Sequence, residues 1–265
     1  MLKGFTLPRS PLGLAAATPA PPWHYSCDIV GAEYWTDPGA TSSVLPPGLV
    51  PDPDRNGHAT LMFLDWQFTA GNEELLDPAR YQYREAFVLI DAMWRDTKVN
   101  FCAYIFVDND AALARGWAQG FPKRIGSVFQ TRTYAAPSAA AGSLKKGSRL
   151  AGSVSAHGER LAEVRVTLEQ AESDLSKLFS RPTANLRYFP RLEAKFQQSP
   201  AVNELVMSLT DDLKIVDLWT GQADIRMPEV AGEELHALAP VRTGLGFRCS
   251  MSYSVTDLKT LETFA

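Results

Sequence analysis

Apolar, β-branched and aromatic runs recur along most of this chain, and nearly all are cut off by a Gly, Pro, Asn or Asp signal within about ten residues. That punctuation leaves little room for long helices and favours many strands joined by turns. Strands are predicted over Ala59–Phe68, Ala86–Met93, Val99–Val107, Ser127–Tyr134, Asn185–Leu192, Val202–Leu209, Leu213–Thr220 and Gly244–Val255. Arg149–His157 and Leu161–Leu168 read as a hairpin around Gly158. An earlier strand-like stretch begins at Tyr25 and stops at the turn Asp37-Pro38-Gly39. Helices are predicted only at Thr41–Leu45, at Ala111–Gln119 and at Gln170–Phe179. The second is capped by Asp108-Asn109-Asp110 and stopped by Gly120 and Pro122. This pattern predicts an α+β fold, mainly an antiparallel β barrel or sandwich with a few peripheral helices.

Residues 1–22 are rich in Pro, Ala and Gly and predict an extended arm, of the kind that lies over a neighbouring subunit. Nothing in the composition of residues 23–265 marks a second domain. The 265 residues carry a net charge of −4, which speaks against a nucleic-acid partner. No apolar stretch approaches the roughly 20 residues that span a bilayer, so no membrane partner is expected. Cys27, Cys102 and Cys249 are widely spaced and read as free thiols of a cytoplasmic protein. His24, His58, His157 and His236 are scattered, and no metal-ligand spacing appears. Asp108 and Asp110 are explained by helix capping.

The most informative stretch surrounds Lys123, which follows a helix stop and Pro122 and stands between Phe121 and Ile125. A lysine against apolar walls loses hydration of its charged form, so its pKa falls and the free amine becomes nucleophilic. Arg124 pushes the same way if it faces the same cavity. Taken alone, a lysine beside an arginine is more commonly a solvated surface pair.

The segment Phe121-Pro122-Lys123-Arg124-Ile125-Gly126 resembles the Tyr-Pro-Lys-Lys-Leu-Gly of acetoacetate decarboxylases, whose first lysine forms a Schiff base beside a second cation. Tyr34-Trp35-Thr36-Asp37, Leu45-Pro46-Pro47-Gly48-Leu49, Asn185-Leu186-Arg187-Tyr188-Phe189-Pro190 and Leu218-Trp219-Thr220-Gly221 resemble further family segments in the same order. The resemblance implies a barrel or cone of the acetoacetate decarboxylase type, a Lys123 imine, no cofactor and a homo-oligomer of four or more subunits. It also shows departures. Cys27 stands where the decarboxylases carry a carboxylate-binding arginine, and Phe63-Leu64-Asp65 stands where they carry a glutamate after a phenylalanine. A second family glutamate falls on Gln82 or, with a small shift, Glu85.

These departures are similar to a branch of the superfamily that runs aldol-dehydration or hydration of 2-oxo acids through the same imine. On that reading Lys123 is the nucleophile, and Tyr83 or Glu85 shuttles the proton. Gln119 orients the carboxylate of a small oxo-acid substrate. Gln82, Tyr81, Arg115, Arg124 and Phe63 are further candidates for the pocket. Decarboxylation of a β-oxo acid is the alternative reaction. A barrel that binds carbonyl ligands without turnover is the alternative of another class.

Overall fold

The computed structural model describes residues 1–172, 179–193 and 200–264. Its strands in chain order are β1 (Trp23–Trp35), β2 (Val50–Pro51), β3 (His58–Thr69), β4 (Gln82–Trp94), β5 (Thr97–Val107), β6 (Lys123–Ile125), β7 (Ser127–Gln130), β8 (Arg149–Ala156), β9 (Glu159–Ala171), β10 (Ala184–Phe189), β11 (Val202–Arg226) and β12 (Arg242–Thr263). Among the described residues the α-helices are α1 (Pro38–Val44), α2 (Pro78–Tyr81) and α3 (Asp110–Ala118).

All twelve strands join one sheet, ordered β6-β5-β4-β3-β1-β12-β11-β9-β8-β7, with β10 on β11 and β2 on β4. The two ends of this path, β6 and β7, are separated in sequence by Gly126 alone, whose N–H donates to Val107 O at 3.0 Å. The sheet therefore curls until its ends meet, as the sequence predicts for a barrel or cone. Every ladder is antiparallel except β5–β6, a parallel pairing of Ile105 with Lys123 and Val107 with Ile125.

Alternation along the central strands separates two cores. Leu61 and Phe63 of β3 and Ala86, Val88 and Ile90 of β4 pack with β8 and β9 in one. Met62, Leu64, Trp66 and Phe68 of β3 and Tyr83 of β4 face the other, which α3 covers. Gly152 of β8 makes room for the Phe63 ring, which a Cβ there would approach to 2.4 Å.

Several expectations change in detail. Val202–Leu209 and Leu213–Thr220 are one strand, β11, because bulges near Asp211–Lys214 and Val216–Trp219 absorb the irregularity while pairing to β12 continues. The segment predicted as a strand to Tyr134 ends at Gln130, and β12 runs on to Thr263. Gln170 and Ala171 close β9 rather than opening a helix, and most of the predicted Gln170–Phe179 helix lies outside the described residues. The N-terminal arm turns back on its own subunit: Lys3 bridges to Ser10, and Thr18 Oγ1 donates to Ala111 O of α3 at 3.1 Å.

Candidate active site

Lys123 is placed by a sequence of local constraints. Asn109 caps α3, its side chain accepting from Ala112 N, and the helix runs only to Ala118. Gly120 turns the chain at φ 81, where a Cβ would also crowd Val206, Asn185 and the Arg187 backbone, so glycine is required twice over. Pro122 cannot extend the helix. Lys123 then starts β6 beside Ile105, its carbonyl accepting from Trp117 Nε1 at 2.8 Å. Its side chain lies across Gly116 of α3, where a Cβ would come within 2.3 Å of Cδ and 2.5 Å of Cε. Gly116→Ala is therefore expected to leave the fold intact, since only a flexible side chain must move, and to displace the amine. Product formation should fall at least about tenfold while the melting temperature shifts by only a few degrees, because small misplacements of a reacting group are costly.

The Nζ of Lys123 is buried and donates to Glu85 Oε2 in a very short contact. Tyr83 and Phe121 present their rings 5.4 and 6.0 Å from it. Burial lowers the lysine pKa, the Glu85 charge opposes that fall, and the Arg115 charge adds to it. Arg115 is 1% exposed, and its guanidinium lies 3.8 Å from the centre of the Phe68 ring, with Tyr83 and Tyr25 at 5.3 and 5.5 Å. Neither Nη1 nor Nη2 has a hydrogen-bond partner among the described residues. The phenols of Tyr25, Tyr83 and Tyr253 are all pushed up by burial. At neutral pH they are hydroxyls that both donate and accept.

Glu85, Tyr83, Gln119 and Lys123 thus line one cavity, with Tyr25, Tyr253 and the apolar side chains of Met62, Leu64, Trp66 and Phe87. Gln119 Nε2 donates to Arg115 O at 3.2 Å. Arg115 forms part of the wall behind Tyr25 and Tyr83. The ambiguity between Gln82 and Glu85 is resolved by alternation: Gln82 points out and donates to Gln67 Oε1 at 2.7 Å. Arg124 is a correction of the same origin. Successive side chains of β6 diverge, so Arg124 leaves the cavity for Glu233, at 2.6 and 2.8 Å, and the cation that acts on Lys123 is Arg115.

Two further candidates also lie elsewhere. Phe63 belongs to the opposite core, and the cavity side of that stretch is Leu64. Tyr81 is buried with its ring 5.5 Å from that of Phe68 and does not line the cavity. Cys27 is buried outside the cavity, and desolvation holds its thiol well above the ordinary range. The sequence reading missed Tyr25 and Tyr253, which are register partners across β1 and β12 with rings 5.2 Å apart, and also Asn100 and Arg181. Only the pairing of the chain's two ends brings the tyrosines together.

The fold is that of a known family. The family described as acetoacetate decarboxylase (ADC) matches over residues 6–263, and the chain belongs to it. No curated protein sequence matches the chain significantly. Among solved structures, the enduracididine biosynthesis enzyme MppR is 32% identical. Its complex with pyruvate superimposes with a TM-score of 0.91 over 100% of both chains. The same enzyme bound to the condensation product of pyruvate and imidazole 4-carboxaldehyde gives 0.92, over 100% of this chain and 98% of that one. An acetoacetate decarboxylase-like enzyme from Sphingomonas wittichii RW1 is 27% identical, with a TM-score of 0.90 over 99% of this chain and 100% of that one. An acetoacetate decarboxylase at 17% identity and a TM-score of 0.79 shares the fold.

Proposed function

We propose that this chain is a cofactor-free lyase that forms a Schiff base between Lys123 and a pyruvate-type 2-oxo acid, and carries out aldol addition followed by dehydration. The observation that carries this reading is the buried Lys123 amine, held against Glu85 with its pKa depressed by desolvation and Arg115. The relatives support the choice of substrate, since MppR binds pyruvate and a pyruvate–aldehyde condensation product.

Each step draws on groups in place. Proton transfer from Lys123 to Glu85 frees the amine, which attacks the ketone carbon. Glu85 returns that proton to the carbinolamine hydroxyl, which leaves as water, restoring the carboxylate and giving the iminium. Its nitrogen accepts the electron pair when Glu85, or Tyr83 beside it, removes a proton from the adjacent methyl. The enamine carbon then bonds to an aldehyde carbon, and the new alkoxide takes up a proton. Loss of that hydroxyl as water gives an unsaturated imine, which a further water hydrolyses to release product and restore Lys123. Gln119, which lines the cavity, suits the substrate carboxylate, while Arg115 acts on Lys123 from behind the wall. Decarboxylation is less well served, because the uncharged Leu64 lines the cavity in the stretch where the decarboxylases carry a glutamate.

The test is to incubate the protein with pyruvate or acetoacetate and borohydride and to weigh it, then to assay condensation with aldehydes and carbon dioxide release. A trapped pyruvate adduct with unsaturated product is expected. Absence of any adduct sinks the imine. Carbon dioxide from acetoacetate as the main product favours decarboxylation, and trapping without turnover on any partner favours a carbonyl-binding role.

The pH dependence carries a sign that can be checked. Imine formation needs the neutral amine, so its rate falls as pH drops through the Lys123 pKa. Arg115 lowers that pKa, so Arg115→Met moves the acidic limb of the trapping rate to higher pH. An unmoved limb would mean that Arg115 does not sense the lysine.

A further inference from the structure

The cavity has a second polar end that the imine chemistry leaves unused. Along β4, alternate residues Glu85, Phe87, Leu89 and Asp91 form a row on one face, and Asn100 of β5 pairs opposite Asp91. On β5, Asn100 stands five residues before Ile105, the register partner of Lys123, which places it roughly 15 Å along the strand from the lysine. Phe87, Leu89, Phe179 and Leu213 line the stretch between. The backbone N–H of Asn100 donates to Pro182 O at 2.9 Å, and this seats Arg181 beside it. Both side chains line the cavity.

Asn100 Oδ1 and Arg181 Nη1, on the two residues that line the cavity here, have no hydrogen-bond partner among the described residues, while Asp52 Oδ2, Asp91 Oδ2 and His58 Nδ1 behind them meet only ion-pair partners. Asn100 is 7% exposed and the Arg181 side chain 10%. A buried acceptor and a buried donor left unmet are costly, and a ligand that satisfies both recovers that cost. The other nitrogen, Arg181 Nη2, is held by Asp52 Oδ2 at 2.7 Å and lies 3.6 Å from Asp91 Oδ2. Asp91 also meets His58 Nδ1 at 3.0 Å and Arg55 Nε at 3.2 Å, and both of these reach Glu33 at 3.2 and 2.7 Å. Carboxylates of Glu33, Asp52 and Asp91 thus stand against the bases of Arg55, Arg181 and His58. The cluster leaves no surplus positive charge to attract an anion.

We propose that this end binds the far end of the aldehyde partner, and that this partner is an aromatic or unsaturated aldehyde ending in a neutral hydroxyl. The hydroxyl oxygen accepts from Arg181 Nη1 and its hydrogen goes to Asn100 Oδ1, while the flat apolar middle lies along Phe87, Leu89 and Phe179. This assignment rests on the imine reading for what happens at Lys123, but the subsite is a property of the cavity and is testable without turnover.

The experiment measures binding of two unreactive alcohols to the intact protein, 4-hydroxycinnamyl alcohol and cinnamyl alcohol, by calorimetry. The hydroxylated probe should bind about tenfold more tightly, the effect of one well-made hydrogen-bond pair in a buried site. In Asn100→Leu, which leaves the Asp52–Arg181–Asp91 pairing in place, that preference should vanish. A 4-carboxycinnamyl alcohol should bind no better than the unsubstituted probe. Equal affinities, no binding of either probe, a preference that survives Asn100→Leu or a preference for the carboxylate would each overturn the proposal. Failure of borohydride to trap pyruvate alongside an intact hydroxyl preference would remove the imine reading and leave the subsite standing.

Discussion

Lys123→Met will take up no pyruvate under borohydride and will form no condensation product, a loss of activity to the background level. The reason is chemical. Among the described residues no other lysine lines the cavity, and no tyrosine there can form an imine. Methionine keeps an unbranched chain of similar length over Gly116, so the cavity wall is retained. The cost falls on Glu85, which loses its buried partner, and leaving a buried charge unpaired costs about 3–5 kcal/mol unless the group takes up a proton. The variant is therefore expected to be less stable near neutral pH and to regain part of that loss as the pH is lowered. Mass spectrometry after trapping, with circular dichroism to check the fold, measures both effects. An adduct that persists in folded Lys123→Met would place the reactive amine elsewhere.

Glu85→Gln separates forming the imine from using it. The amide keeps the shape and can still hydrogen-bond to Lys123 Nζ, but it carries no charge and accepts no proton at neutral pH. Because the Glu85 charge raises the lysine pKa, its removal lowers that pKa, and the acidic limb of imine trapping moves to lower pH. This shift is opposite in sign to that of Arg115→Met. Steps that move a proton at the carbon next to the iminium then slow by about 10²–10⁴, the usual contribution of a positioned base. Borohydride trapping should thus survive while exchange of pyruvate methyl protons into deuterated water nearly stops. Unchanged exchange would transfer the role to Tyr83, and Tyr83→Phe would then carry the loss.

The family segments that pointed to the chemistry are mostly fastenings of the sheet. Asp37 caps α1 by accepting from Ala40 N at 2.9 Å. Asn185 Oδ1 accepts from Cys102 N at 3.1 Å and ties β10 to β5. Gly221 sits where β9 approaches so closely that a Cβ would meet Thr167 O at 2.0 Å. Such residues are legible in a sequence because each meets a local demand, whether a cap, a bulge or a close approach. Only the Lys123 segment meets a demand of the site itself, and its neighbours Gly116 and Gly120 show how much backbone is given over to placing one amine.

By itself, the sequence determined the strand-rich fold, the short helix that stops at Gly120 and Pro122, and the lysine that follows it. Turn residues, caps and helix stops act over a few positions, and their meaning does not depend on distant partners. The tertiary structure alone decided which side chains surround that lysine. Alternation divides every strand into two sets, and the sequence does not label which set faces the cavity. The β3–β4–β5 register and the parallel β5–β6 pairing admitted Tyr83 and Glu85 and turned Gln82, Phe63 and Arg124 away. The joining of β1 to β12 then brought Tyr25 and Tyr253 together from opposite ends of the chain, and the contact between β5 and the Pro182 segment set Asn100 beside Arg181. Those pairings are long-range, and their physical basis is burial and backbone hydrogen bonding across the whole sheet rather than any local signal.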